Sequence, residues 1–321
     1  MFITRDRGEE KMNEKLMTKN ITVIVLAAIC CALWGSAPSC IKVGYNLFQI
    51  DASATMDILL FAGLRFTLAG ILVVLVYSLI RREPVLPRKT SWKAILILAL
   101  FQTTLQYLMF YIGTAHASGV KVSILSGMNT CFSVVIACLI FRQEKLTMNK
   151  LIGCLAGFAG IVVINLQGNL NSLSFDMTII GEGFVLFAAL SSSVSAVLIR
   201  RFSQKDDAVM LSGYQFVSGG LVLVLIALAG GGQRPRVTAS GMLLLLYLAF
   251  LSAVAYSLWS LLLQYNPVSK VLVYHPLMPI FGVILSAIIL KEGGSFSWNT
   301  LLSLILVCFG IWLINFSKGT K

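Results

Sequence analysis

The sequence predicts an all-α polytopic membrane protein of ten transmembrane helices arranged as a 5+5 inverted repeat. Three observations carry that prediction. Apolar runs of membrane-crossing length recur from end to end, basic residues concentrate in alternate loops, and short strings of the first half return in order in the second.

Of the 321 residues, 58% are hydrophobic and 12% charged, too little polar surface to cover a soluble globule of this size. A helix needs roughly 20 apolar residues to cross about 30 Å of hydrocarbon. Runs near that length occupy 21–43, 57–80, 92–113, 117–141, 150–166, 179–200, 208–230, 239–263, 268–290 and 298–316. Within hydrocarbon every backbone polar group must be satisfied inside its own segment, and these runs are too long and too uniformly apolar for barrel strands, so they form helices. The first run is longer than a signal-peptide core and others follow it, so it stays attached as the first span.

A net charge of +12 would point to nucleic acid in a soluble chain, but here it reports orientation, and no nucleic-acid partner is expected. With the N-terminus inside, the cytoplasm receives the tail (Arg5, Arg7, Lys11, Lys15, Lys19). It also receives the loops carrying Arg81, Arg82, Arg88, Lys89, Lys93, Arg142, Lys145, Lys150, Arg200, Arg201 and Lys205, with Lys270, Lys318 and Lys321. The other side receives Arg234, Arg236 and Lys291. This asymmetry predicts an even number of spans and two cytoplasmic termini in a plasma membrane. The cysteines (Cys30, Cys31, Cys40, Cys131, Cys138, Cys154, Cys308) all lie in apolar runs without metal-ligand spacing, so they read as reduced small hydrophobes. No metal or cofactor is expected.

The repeat is visible in strings. Gly160-Ile-Val-Val-Ile-Asn165 returns as Gly310-Ile-Trp-Leu-Ile-Asn315, Arg65-Phe-Thr-Leu-Ala-Gly70 as Gln215-Phe-Val-Ser-Gly-Gly220, and Tyr107 answers Tyr256. Ile140-Phe-Arg-Gln-Glu144 is matched loosely by Leu290-Lys-Glu292. The chain therefore divides into an N-terminal cytoplasmic tail (1–20), a first five-helix repeat (21–166), an extracytoplasmic linker (167–178), a second repeat (179–316) and a C-terminal tail (317–321). Because five is odd, the second copy enters the membrane upside down, as in carriers that expose one central site to alternate sides.

The ten-span pattern, Trp34-Gly-Ser-Ala-Pro38 in span one, Arg65-Phe66 in span two, the Glu144 and Glu292 endings and the glycine-rich fifth and tenth spans resemble the EamA-type branch of the drug/metabolite transporter superfamily. The resemblance covers nearly the whole chain after residue 20. It implies an exporter of amino acids or other metabolites, with a central cavity lined by spans one to four and six to nine and with spans five and ten peripheral. One feature departs from it. The family often carries proline in mid-span four, where this chain has Met128 and Cys131 opposite Pro276 and Pro279, which argues against a symmetric pair of hinges.

Arg65 lies about 12 Å deep at 1.5 Å per residue, where a charge costs around 2.5–3.5 kcal/mol and must face the interior or a wet cavity. Two readings fit it: attraction of a carboxylate or phosphate, and a tie between helices through backbone carbonyls. Gln102 and Gln106 share a face of span three, with Tyr107 and Tyr111 on a neighbouring face and Tyr256, Trp259 and Tyr274 from the other half. This mixture of aromatic walls and few polar handles suits a small-molecule pocket, and it equally suits interhelical packing. Gln215, the repeat partner of Arg65, is the span-seven candidate, while Ser191, Ser192, Ser193 and Ser195 read as a close-packing face.

Trp34 and Ser36 precede Pro38, and Pro38, Pro276 and Pro279 are candidate helix breaks that free carbonyls toward a cavity. Lys121, about 6 Å into span four, either faces an outer vestibule or snorkels, and the vestibule is favoured because Lys270 occupies the matching turn. His275 is placed about 10 Å into span nine, as a proton relay or a hydrogen-bonded structural residue.

Acids are absent from the predicted spans apart from Asp57 and Glu182 near outer ends. That favours facilitated movement of an anionic or zwitterionic metabolite over a cationic drug, with proton-coupled export of a drug or organic anion as the alternative. A membrane enzyme should show paired acids or a metal motif, and a channel should show a repeated filter or charge ring; neither pattern occurs. The expected partners are a small solute and the lipid bilayer, the chain acting as a monomer or homodimer.

Overall fold

The computed structural model describes residues 16–140, 146–167, 174–203, 205–233, 238–266, 271, 274–291 and 297–316. The predicted helices stand in the predicted order: α1 (Asn20–Leu47), α2 (Thr55–Arg81), α3 (Ser91–His116), α4 (Gly119–Ile140) and α5 (Met148–Asn165). The second half supplies α6 (a π-helical turn Ile179–Gly183 running into Phe184–Phe202), α7 (Ala208–Ala229), α8 (Ala239–Tyr265), α9 (Leu277–Ile289) and α10 (Trp298–Phe316). Among the described residues eight helices are long and apolar enough to cross a membrane, and α9 and α10 are apolar but shorter in that measure. The one strand ladder described is the antiparallel pair β1 (Leu166–Gln167) and β2 (Ser174–Phe175) in the linker.

The helix starts are chemically marked. The Asp207 carboxylate accepts from the Val209 and Met210 amides at 2.9 Å each at the head of α7. Thr238, Ser118 and Thr178 accept from the Gly241, Lys121 and Gly181 amides at α8, α4 and α6. Each satisfies donors that a helix leaves orphaned at its first turn.

Two findings concern the prolines, and only the second corrects an expected break. In the predicted span 268–290 Val271 is helical, Tyr274, His275 and Pro276 form a turn, and helix resumes from Leu277. Proline has no N–H to give the ladder and disfavours helical backbone in the residue before it, so Pro276 starts a helix rather than sitting within one. His275 lies in the turn that leads into α9, beside Thr130 midway along α4. Pro38, by contrast, breaks nothing: α1 runs through it as one helix. Close neighbours hold it there, since a β-carbon on Gly35 would lie 2.8 Å from the Gly282 amide of α9.

The inversion of the second half is visible in two glycine crossings. A β-carbon on Gly63 would come within 2.9 Å of the Gly220 carbonyl oxygen, and one on Gly70 within 2.6 Å of that of Gly213. The low-numbered glycine of α2 thus faces the high-numbered one of α7, so the two repeat mates run antiparallel. At the α5/α10 crossing a β-carbon on Gly153 would lie 2.6 Å from the Gly310 carbonyl oxygen, and Ser303 Oγ donates to the Gly160 carbonyl at 2.7 Å. Small residues let backbones meet where no hydrophobic force draws helices together.

The remaining packing obeys the same pseudo-two-fold: α1 lies on α8 and α9 as its mate α6 lies on α3 and α4, and α2 touches α8 as α7 touches α3. One core cluster joins α1, α2, α3, α7 and α8 through Tyr45, Phe61, Phe66, Tyr111 and Phe216, and a second joins α4, α5, α6, α9 and α10. On the face carrying Arg81, Lys89 and Lys93, packing divides into three small clusters. One lies between α3, α6 and α7 around Leu98 and Leu211, one between α1, α8 and Val271 and Tyr274 ahead of α9, around Ala27 and Leu262, and one between α2, α7 and α8 around Val73, Val209 and Ala253.

Candidate functional site

The two repeats meet at a pair of tyrosines. Tyr107 of α3 and Tyr256 of α8 hold equivalent places in the halves, and their hydroxyls are 2.8 Å apart. Phe66 stacks on Tyr107 with ring centroids 3.8 Å apart, and its repeat mate Phe216 meets Tyr256 edge-on at 4.9 Å. Trp34 of α1 contacts the Tyr256 ring at 5.3 Å and Trp259 at 5.1 Å, and Trp259 in turn lies 5.5 Å from the His275 ring. His275 is buried and its Nδ1 is 2.9 Å from Thr130 Oγ1 of α4.

Arg65 is buried on α2 and bonded three ways. Its Nε donates to the Leu248 carbonyl at 3.1 Å, one terminal nitrogen to the Tyr111 hydroxyl at 2.7 Å and the other to Ser252 Oγ at 3.0 Å. Tyr111 is held from behind, because Tyr45 donates its hydroxyl to the Tyr111 carbonyl at 2.8 Å. Every ion pair described lies elsewhere, so the guanidinium keeps its charge with neutral partners. The tie between helices is therefore a geometric fact of Arg65, joining α2 to α3 and α8.

Its repeat mate Gln215 accepts from Thr103 Oγ1 at 2.5 Å. Ser252 stands to Thr103 as Tyr256 stands to Tyr107, so the Arg65–Ser252 and Gln215–Thr103 bonds are the same contact between the halves made twice, with the cation in one of them.

Several buried polar atoms around this centre have no protein partner: Trp34 Nε1, Gln102 Oε1, Gln106 Oε1 and Gln215 Nε2. The amides of Gln102 and Gln106 both neighbour the Tyr256 hydroxyl, and Gln102 and Thr103 sit in a π-helical stretch of α3, Ala99–Leu105. Such stretches recur at functional sites, and buried polar atoms without partners in a native fold call for water, ion or ligand. Among the candidates from the sequence, the structure thus brings together Trp34, Arg65, Gln102, Gln106, Tyr107, Tyr111, Gln215, Tyr256, Trp259 and His275.

Others fall apart from it. Lys121 binds Glu182 at 2.9 Å and Asp176 at 3.3 Å, so it fastens α4 to the head of α6 and to the linker, and is neither a free vestibule charge nor a snorkelling one. Its proposed counterpart Lys270 lies outside the described residues, as do Arg142, Glu144, Lys145, Arg234, Arg236, Glu292, Lys318 and Lys321. Tyr274 packs with Val23, Ala27 and Leu262 at the foot of α1 and α8. Ser36 bonds the Leu33 carbonyl and, at 2.9 Å, the Tyr247 hydroxyl. Pro279 is buried in the first turn of α9.

Ser191 and Ser193 bond the Phe101 and Asn129 carbonyls, the close-packing role read for them. Sequence reasoning missed Ser252, Thr103 and Thr130. The first two were within reach of the repeat offset, whereas Thr130 carries no signal beyond its polarity in an apolar span.

The EamA-like transporter family matches residues 21–166 and 179–316, nearly the whole chain in two segments. The chain belongs to that family. This EamA protein is 28% identical over 291 residues to an Archaeoglobus fulgidus protein described as an uncharacterized transporter, spanning 90% of this chain and 96% of that one. It is 27% identical over 310 residues to the uncharacterized transporter YvbV of Bacillus subtilis, spanning 96% of each. A solved crystal structure superposes with a TM-score of 0.61 over 91% of this chain and 96% of its own at 18% identity, which speaks to the fold. The EamA protein is thus a multi-pass membrane transporter, and a small solute and the lipid around it are its surroundings.

Proposed function

We propose that this EamA protein exports a small anionic or zwitterionic metabolite, amino acids and other organic acids being the class, by alternating access around the Tyr107–Tyr256 pair. The observation that carries the reading is that four of the six partnerless buried side-chain atoms described, Trp34 Nε1, Gln102 Oε1, Gln106 Oε1 and Gln215 Nε2, gather where the inverted halves meet. A solute bound there would complete their hydrogen bonds, and the repeat symmetry would present it to either side in turn. Arg65 favours negative charge from behind Tyr111, since its own positive charge is balanced by no described carboxylate. Its role is to set the potential and hold three helices, and the solute meets the aromatic and amide groups in front.

The orientation belongs to the same proposal: the face with Arg81, Lys89 and Lys93 is cytoplasmic, in a plasma membrane, with both termini on that side. The 2.8 Å bond between Ser39 of α1 and Ser286 of α9, on the opposite side, supports a state closed there.

Purified protein in proteoliposomes tests the reading. Saturable counterflow of small organic or amino acids is the expected result, without ohmic current and without chemical change in the solute. Uniform failure with acids alongside saturable flux of amines would overturn the charge argument, and ohmic current would make the protein a channel.

A further inference from the structure

We propose that Gln102 and Gln106 are the specificity-determining residues of the central site, selecting solutes that offer an uncharged donor, a hydroxyl or an amide N–H, over their amino and their unsubstituted counterparts. This rests on the proposed central site and narrows its class to hydroxylated or amidated organic anions.

The argument begins with what an amide oxygen can do. It accepts hydrogen bonds and never donates them, so its complement is a donor. Gln102 and Gln106 direct their amides beside one hydroxyl, that of Tyr256, and each leaves its Oε1 buried without a partner. Gln102 is only 6% exposed. Gln102 within the π-helical stretch of α3 and Gln106, the first residue after it, thus present two neutral acceptors to one place.

Charge decides which donor fits. An ammonium is also a donor, but it would have to leave water for a site where the described ion pairs supply no acid and where Arg65, bonded to Tyr111, already carries a positive charge. Two neutral carbonyls repay little of an ion's lost hydration. A hydroxyl or amide makes the same bonds without bringing a charge. The remaining orphan beside Tyr256 is of the opposite kind: Trp34 Nε1 is a donor, and it suits a carboxylate or carbonyl oxygen on the same solute. A site built to bond a hydroxyl rejects the analogue lacking it, because its own acceptors then stay buried and unpaired.

The test uses matched trios, lactate with alanine and propionate, and malate with aspartate and succinate, competing for counterflow in proteoliposomes. In the wild type the hydroxy acid is expected to compete at least about tenfold better than its amino and unsubstituted partners. Gln102→Leu and Gln106→Leu should bring the hydroxy-to-unsubstituted ratio toward one. The isosteric Gln102→Glu and Gln106→Glu should shift preference toward the amino member, since a carboxylate pairs with ammonium.

A wild-type ratio near one, a wild-type preference for alanine and aspartate, or leucine variants that keep the ratio would each overturn the assignment while leaving central-site transport standing. If neither trio moves at all while amines do, the proposed substrate charge fails and this inference fails with it. For a leucine variant that does not elute as a folded species, the wild-type ratio and the glutamate variants decide.

Discussion

The hydroxyls of Tyr107 and Tyr256 share a 2.8 Å hydrogen bond, and since the two residues are repeat mates, that bond lies on the axis relating the halves. Either hydroxyl can donate, so the pair is indifferent to which half leads. Replacing one tyrosine by phenylalanine keeps the stacking on Phe66 or Phe216 and removes the bond. Tyr107→Phe and Tyr256→Phe should therefore be non-additive, with a coupling of about 0.6–1.7 kcal/mol in a double-mutant cycle. Tyr256→Phe should impair uptake more, because Gln102 and Gln106 lose a neighbour as well. Additive losses measured by thermal unfolding in detergent would show that the bond contributes nothing as a pair.

Arg65→Gln removes three bonds that join α2 to α3 and α8. Hydrogen bonds to a charged group contribute about 1.5–3 kcal/mol each in water-soluble proteins, and less is expected here because membrane bonds average about 0.6 kcal/mol. The expected outcome is normal membrane insertion, a lowered unfolding temperature and abolished uptake. Arg65→Lys keeps the charge without the planar fork and should recover little stability. Normal uptake by Arg65→Gln would remove the electrostatic role, and an unchanged unfolding temperature the structural one.

Lys121→Met leaves Glu182, 4% exposed, as a carboxylate stripped of its cation. Breaking one side of a buried pair costs about 3–5 kcal/mol. The single variant should unfold at markedly lower temperature, and Lys121→Met with Glu182→Gln should recover most of the loss, because a neutral amide can keep the Thr178 contacts that the carboxylate now accepts. Equal instability of the double variant would mean that the lysine acts through packing alone.

His275 faces Thr130 on α4 and Trp259 on α8, and among the contacts described it meets no charged group. Protonation there would bury a cation with only a hydroxyl beside it. The uptake rate between about pH 5.5 and 8, the range in which histidine ordinarily titrates, should therefore change no more in the wild type than in His275→Asn. A pH dependence that disappears in the variant would instead identify His275 as the proton site.

The spans were legible because insertion energetics act on runs of residues, so composition alone marks Thr55–Arg81 or Ala208–Ala229 as membrane helices. The pseudo-symmetry was legible in part, as strings such as Arg65-Phe66 and Gln215-Phe216. Partnerships were less so. Nothing in the sequence ties Lys121 to Glu182, which are joined only when α4 and α6 close side by side, and the vestibule expected at Lys121 is occupied by that ion pair. The turn holding His275 was not legible, because a hydropathy run does not register the interruption at Tyr274–Pro276. Conversely, Ser252 followed from the offset linking Tyr107 to Tyr256, and could have been read as the mate of Thr103.

The glycine-to-glycine crossings have a consequence for how such a chain can arise and be taken apart. Both join a helix to its own mate, so each half already carries the surface that a reversed copy of itself requires, and a covalent tether between 167 and 174 is not what holds the halves together. A single half made alone could pair with a sister inserted the other way up. Two copies of the first half, though, would set a guanidinium at both places now held by Arg65 and Gln215, and the repulsion would weigh against that union; the divergence at this one pair favours unlike halves.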